Sequence, residues 1–136
     1  MSHLTLDIVN SDIVTEFIEF YYGILNSHDI EKIGELFKSK SQVIFDGKPC
    51  ESLENIGELF SQLFRCEINL NIEKISSSNS GTRRFDILVN GVVTINEVQE
   101  ETSEVVQITR QYSQYLHLAY GNDKTFWIQK IIFMII

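Results

Sequence analysis

A chain of 136 residues with 43% apolar side chains has the size of one domain and enough apolar mass to bury a core, which excludes a disordered chain. Its formal charge is −8, and its Lys and Arg are scattered singly apart from Arg83-Arg84, so a phosphate-binding surface for nucleic acid or anionic membrane is not expected. No apolar run reaches the ~20 residues of a membrane span, no basic, then apolar leader opens the chain, and two cysteines with three separated histidines (His3, His28, His117) match no metal-ligand spacing.

The single proline and the dispersed glycines mark no linker, and no repeat is visible, so one domain over 1–136 is expected. Cys50 and Cys66 are expected as reduced thiols. The acidic balance favours basic partner surfaces.

Helices come first. Val9, Ile13, Phe17, Phe20, Tyr21 and Ile24 recur at spacings of three and four, which predicts a long amphipathic helix. Asn10 or Ser11 can cap it, and Asp12 and Glu16 suit the positive end of its dipole. A short second helix carries Ile30, Ile33, Leu36 and Phe37, with Ser27 or Asp29 as its cap. Gln42 to Phe45 then reads as a strand ending at Asp46-Gly47, a hairpin signal, and a second short run to Cys50 returns from it. A third helix begins after Ser52, with Leu53, Ile56, Phe60 and Leu63 as its stripe.

From Cys66 the period changes to two. Ile68, Leu70, Ile72 and Ile75 predict one strand, followed by a polar turn over Ser76 to Gly81. Phe85, Ile87, Val89 and Val92 to Ile95 predict a second strand, in which Gly91 marks a bulge or bend. After the acidic stretch Glu97 to Glu104, a long strand alternates Val106, Ile108, Arg110, Tyr112, Gln114, Leu116 and Leu118 with Gln107, Thr109, Gln111, Ser113, Tyr115 and His117. Gly121-Asn122-Asp123 turns the chain into the last strand, Phe126 to Ile136. Helices followed by a long antiparallel meander predict an α+β cone, three helices on one face of a strongly bent antiparallel sheet.

These residues resemble the nuclear transport factor 2 (NTF2) family over nearly the whole chain. The resemblance rests on Phe17-Ile18-Glu19-Phe20-Tyr21-Tyr22, then Leu36-Phe37, Phe45-Asp46-Gly47, Glu51-Ser52-Leu53, Gly91 within a long strand, and Phe126-Trp127-Ile128 with Phe133 near the end. It implies a cone-shaped fold that dimerises through its free sheet face. Within the family, one branch is a homodimer that carries Ran-GDP through the nuclear pore; another is the small partner of an mRNA export receptor. Others are scaffold or cofactor domains, and distant relatives are enzymes such as ketosteroid isomerase. Here Lys130-Ile131-Ile132-Phe133-Met134 keeps neither the acid nor the arginine usual in the family's final strand. Asn96, Glu97 and Glu100 also lack the paired aspartates of the Ran-carrying branch, whereas Asp46 matches an acid of that branch.

The resemblance thus implies a non-enzymatic adaptor of nucleus and cytoplasm, acting at the nuclear pore without a cofactor. Its partner is the NTF2-like domain of an export receptor or a second copy, with nucleoporin FG repeats and Ran-GDP as further expected partners. The residues add a place for the contact. A neutral polar and aromatic row (Gln111, Ser113, Tyr115, His117) with Arg110 nearby suits a partly wet interface better than a bare sheet face. Ile128 to Ile136 puts apolar groups on both faces of the last strand, and one of these faces needs cover. The expected partner-binding residues are therefore Phe45, Asp46, Arg110, Tyr112, Gln114, Tyr115, His117, Phe133 and Met134. The alternative from another class is an isomerase-type enzyme, with His117 or a desolvated Asp46 or Asp86 as its base inside the cone.

Overall fold

The computed structural model describes residues 2–81, 83–121 and 125–136, with side chains from residue 13 onward apart from Ser80. Three helices, α1 (Ser2–Ser27), α2 (Ile30–Gly34) and α3 (Leu53–Arg65), accompany six strands. The strands are β1 (Phe37–Phe45), β2 (Lys48–Cys50), β3 (Asn69–Gly81), β4 (Arg84–Val98), β5 (Val105–Tyr120) and β6 (Phe126–Ile135). They form one curved, unclosed sheet in the order β2-β1-β6-β5-β4-β3.

No proline or glycine interrupts the chain before Gly23, and α1 runs back to Ser2, so Asn10 and Ser11 fall within it rather than at its cap. The side chains of Val9, Asn10, Ser11 and Asp12 lie outside the described residues. The buried stripe of α1 is Val14, Phe17, Ile18, Tyr21, Tyr22, Ile24 and Leu25; Phe20 points away and is 54% exposed. His28, at φ 58, ends α1, and Asp29 caps α2 by accepting from the Lys32 amide at 3.2 Å. Phe37 opens β1 instead of ending α2. Ser52 caps α3 by accepting from the Asn55 amide at 3.0 Å.

Asp46 (φ 48) and Gly47 (φ 86) make the tight β1–β2 turn, both in the left-handed region that two-residue hairpins require. The β1–β6 pair is parallel, with Phe37 opposite Ile128 and Phe45 opposite Phe133, so the sheet is mixed rather than wholly antiparallel. The β1–β2 hairpin stands outside the meander, and no tight turn dictates how it meets β6.

Ser76 to Gly81 is the second half of β3, not a turn. Its backbone pairs with β4 from Ser76 opposite Leu88 to Asn79 opposite Phe85 and, past an irregularity, with Gly81 opposite Arg84, and this ladder outweighs the weak strand preference of Ser and Asn. The chain reverses around Arg83 (φ 60). Of the expected Gly121-Asn122-Asp123 turn, residues 122 and 123 lie outside the described residues.

At Gly91 the bend has a plain cause. Ile72 pairs with Gly91 and Lys74 with Asn90, so Glu73 is an extra residue bulging from β3. A Cβ at position 91 would lie 2.1 Å from the Asn71 carbonyl oxygen and 2.9 Å from the Tyr112 ring. The core fills the space between the helices and the inner sheet face, where Ile87, Val89, Val93, Leu116, Leu118 and Ile128 are essentially inaccessible. Each such side chain contributes about 1.5–3 kcal/mol by leaving water. Gly91→Ala is expected to destabilise the protein by about 3 kcal/mol or more, because backbone, not a pliable side chain, blocks the new methyl. Urea unfolding measures this, and a loss below 1 kcal/mol would refute the close approach.

Candidate partner-binding sheet face

β5 lies in the middle of the sheet and alternates between the helix-covered inner face and the outer face. Tyr112, Gln114, Leu116 and Leu118 point inward and are buried, whereas Ser113, Tyr115 and His117 point outward and are half-buried. Register extends that outer row sideways. Tyr115 sits between Leu88 on β4 and Ile132 on β6, Ser113 between Asn90 and Met134, and His117 between Asp86 and Lys130. Parallel β1 then lays Ile44 beside Ile132. An apolar band, Ile44–Ile132–Tyr115–Leu88, therefore crosses four strands, flanked by Met134. Leu88 is 41% and Met134 51% exposed.

Polar groups border the band. The Tyr115 hydroxyl donates to Asp86 Oδ1 at 2.5 Å, and His117 Nδ1 lies 2.8 Å from the same oxygen. Burial, then the hydrogen bond and charge of Asp86, push the Tyr115 phenol up to about 12. Arg84 reaches over to Gln129 Oε1 at 2.7 Å, beside the irregularity that sets Gln129 out of register with β5. Along the outward positions of β3 to β6, the described residues place Lys74, Arg84 and Lys130 against Asp86. A chain of net charge −8 thus turns a basic sheet face outward.

The inner face differs from expectation. Tyr112 and Gln114, each 1% exposed, and Phe133, 5% exposed, were expected at a partner contact but are buried in the core of this chain. Their strand parity puts them under α1. Phe45, Phe133 and Tyr112 form a continuous stack, with ring centroids 5.1 Å apart at both steps. Beside it runs a closed polar chain. The Tyr112 hydroxyl donates to that of Tyr22 at 3.0 Å, Tyr22 donates to Gln114 Oε1 at 2.6 Å, and Gln114 Nε2 donates to the Tyr21 hydroxyl at 2.7 Å. Among the described residues, no buried side-chain nitrogen or oxygen lacks a hydrogen-bond partner. The void left between Phe45, Leu59, Phe64 and Gln114 measures about 20 Å³, room for a water or two.

Of the nine expected residues, Tyr115, His117 and Met134 come together on the outer face. Phe45 is half-buried at the mouth of the cone, Asp46 is exposed in the hairpin turn, and Arg110 is exposed towards the open end of β5, donating to the Thr109 carbonyl. His117 does meet Asp86, but outside the cone, while Asp46 lies beyond β6. Sequence reasoning missed Leu88, Ile132 and Ile44 as partners of Tyr115. Each is an ordinary apolar strand residue, and only the register brings them into line.

Residues 13–135 match the model of the nuclear transport factor 2 (NTF2) domain. By structure the chain is similar to nuclear transport factor 2 from Cryptosporidium parvum, at 19% identity and TM-score 0.74, over 93% of this chain and 94% of that one. It is similar to Mtr2, at 9% identity and TM-score 0.66, over 91% and 97%. It is likewise similar to a candidate scytalone dehydratase from Novosphingobium aromaticivorans, at 9% identity and TM-score 0.81, over 100% and 89%. No curated protein matches by sequence. At these identities the structural likenesses establish the fold alone.

The closed tyrosine interior has a titration signature. Burial raises Tyr21 and Tyr22 well above the ordinary phenol value near 10, and Tyr112 to about 12. Below pH 10 these groups are protonated in both states, so their stabilisation is complete. Above it the unfolded chain ionises while the folded one holds its protons, and stability falls until the folded groups ionise in turn. Stability measured in denaturant is expected to decline from pH 10 to 12, with tyrosinate absorbance lagging that of free tyrosine; normal titration near 10 would contradict the network. Tyr22→Phe leaves Gln114 and Tyr112 each short of a partner and is expected to cost about 1–3 kcal/mol in the same assay.

Proposed function

Since the chain belongs to the nuclear transport factor 2 family through residues 13–135, we propose that it is a non-enzymatic adaptor in nucleocytoplasmic transport that pairs with a second NTF2-like domain through its outer sheet face. The partner in this reading is the NTF2-like domain of an mRNA export receptor, and the pair works at the nuclear pore, where nucleoporin FG repeats are its further ligands. The observation that carries it is the apolar band Ile44–Ile132–Tyr115–Leu88 with Met134 beside it. Soluble monomers rarely expose such a contiguous strip, and an apolar centre with a hydrogen-bonding border is the usual anatomy of a protein interface. Lys74, Arg84 and Lys130 around it favour an acidic partner face over a second basic copy, since like charges in register oppose association.

The interior supports the non-catalytic part of the reading. The void of about 20 Å³ is lined by apolar and aromatic side chains and Gln114, with no carboxylate or imidazole in its wall. A general base needs a proton within hydrogen-bond reach and room for the molecule that carries it. A second reading, a homodimeric Ran-GDP carrier, is favoured by Phe45 at the mouth of the cone with exposed Asp46 beside it. Binding of purified Ran-GDP, lost on Asp46→Lys, would identify that reading.

Leu88→Glu and Met134→Glu are each expected to weaken the complex at least tenfold, about 1.4 kcal/mol, while far-ultraviolet circular dichroism keeps its helical signal. Phe133→Glu is expected to unfold the chain instead, because its ring lies inside the core stack. Light scattering of the chain co-purified with its partner reads the assembly. A complex of unchanged mass and affinity in the Leu88→Glu/Met134→Glu double variant would end the proposal.

A further inference from the structure

A second concave surface lies on the helix side, away from the sheet face. Ile33 and Phe37 form one wall of a groove between α2 and α3, and Leu53, Ile56 and Phe60 form the other. Phe37 and Phe60 make the floor, their ring centroids 5.6 Å apart, while Leu53 stands at the rim and is 48% exposed. The groove exists because Gly34 and Gly57 face open space: a Cβ built on either meets no atom within 4 Å. Its volume is about 140 Å³. An apolar protein cavity of about 150 Å³ accommodates a benzene ring, so the groove has room for one aromatic side chain.

Charge says what kind of chain would bring that ring. Glu31 lies three residues before Gly34 and Glu54 three before Gly57, which places each on the same helix face as its glycine. Glu35 and Glu51 are exposed nearby, whereas Glu58 lies on the other side of α3 and lines a separate cavity with Lys48. Lys32 is the one basic residue within 30–37 and 51–57, against four carboxylates. An apolar slot with an acidic rim selects against acidic segments and attracts basic ones. The rim is opposite in sign to the basic sheet face, so the two surfaces attract different partners.

We propose that this groove is a second docking site, which takes one aromatic side chain of a basic peptide segment. The site is independent of the sheet-face pairing and stands whether or not that reading holds. The aromatic ring lies on Phe37 and Phe60, its edges against Leu53 and Ile56, while flanking lysines or arginines of the peptide meet Glu54, Glu31 and Glu35.

Fluorescence anisotropy of the intact chain with labelled peptides tests it. The probe carries one phenylalanine between paired lysines; one control replaces phenylalanine with alanine, another replaces the lysines with glutamates. The phenylalanine–lysine peptide is expected to bind at least tenfold more tightly than either control and to weaken as salt rises. Gly57→Leu fills the slot, and replacing a helical glycine favours α3, so this variant should fold. It should lower affinity at least tenfold while leaving sheet-face association unchanged. Glu31→Lys/Glu54→Lys should lower affinity and flatten the salt dependence. Equal binding of the phenylalanine and alanine peptides, undiminished binding by Gly57→Leu, or no binding at millimolar peptide would each overturn the proposal.

Discussion

The period-two alternation of β5, held in register by a strand on either side, decides what every other part of this molecule faces. Gln114 and Tyr115 are neighbours in the chain, yet one closes a hydrogen-bond chain under α1 and the other lies in the middle of an apolar band on the opposite surface. A slip of one residue would exchange the two sets, exposing Leu116 and Leu118 and burying His117 among apolar groups. Both faces oppose that slip. The inner one would lose its core, and the outer one would lose the His117 imidazole, taken from water and from Asp86 without compensation.

The interior reads as a finished object. Three aromatic rings are stacked, and beside them a glutamine and three tyrosines satisfy one another. Buried polar networks of this kind strengthen packing only when each member has its partners; with one missing, the desolvated remainder becomes a liability. Under α1 the packing leaves a void of only about 20 Å³. Outside this interior the exposed charge differs by side, basic on the outer sheet face and acidic beside the groove between α2 and α3.

Much of the fold was legible in the sequence because periodicity is a local signal. Stripes at three and four residues marked the helices, Ser52 announced the start of α3, Asp46-Gly47 announced the hairpin, and Gly91 announced the bend. The misreadings share a cause. Ser76 to Gly81 looks like a turn until β4 is seen to pair with it, and the parallel meeting of β1 with β6 leaves no mark in either strand alone. Parity did assign Tyr115 and His117 to one face, but the polar character of Gln114 and Tyr112 hid that they point inward. Leu88, Ile132 and Ile44 are anonymous until register aligns them, since an interface built across four strands is a property of pairing and not of any one segment.

The placement of β6 has a consequence for how the molecule comes into being. That strand is interior to the sheet, between β1 and β5, and it binds the early part of the chain closely: the Ile128 amide donates to the Leu36 carbonyl at 2.7 Å, and the Ser41 hydroxyl donates to the Ile128 carbonyl at 2.6 Å. These partners stand about ninety residues apart, so the contacts that join the two halves of the sheet are among the most non-local it possesses. During synthesis, β1 and β2 emerge early and wait with an open edge, while β3 to β5 are assembled into a meander of their own. Only the arrival of β6 turns two partial sheets into one. Until then β1 and β5 each keep an unpaired edge in addition to the outer edges of β2 and β3, and such edges are templates for unwanted pairing.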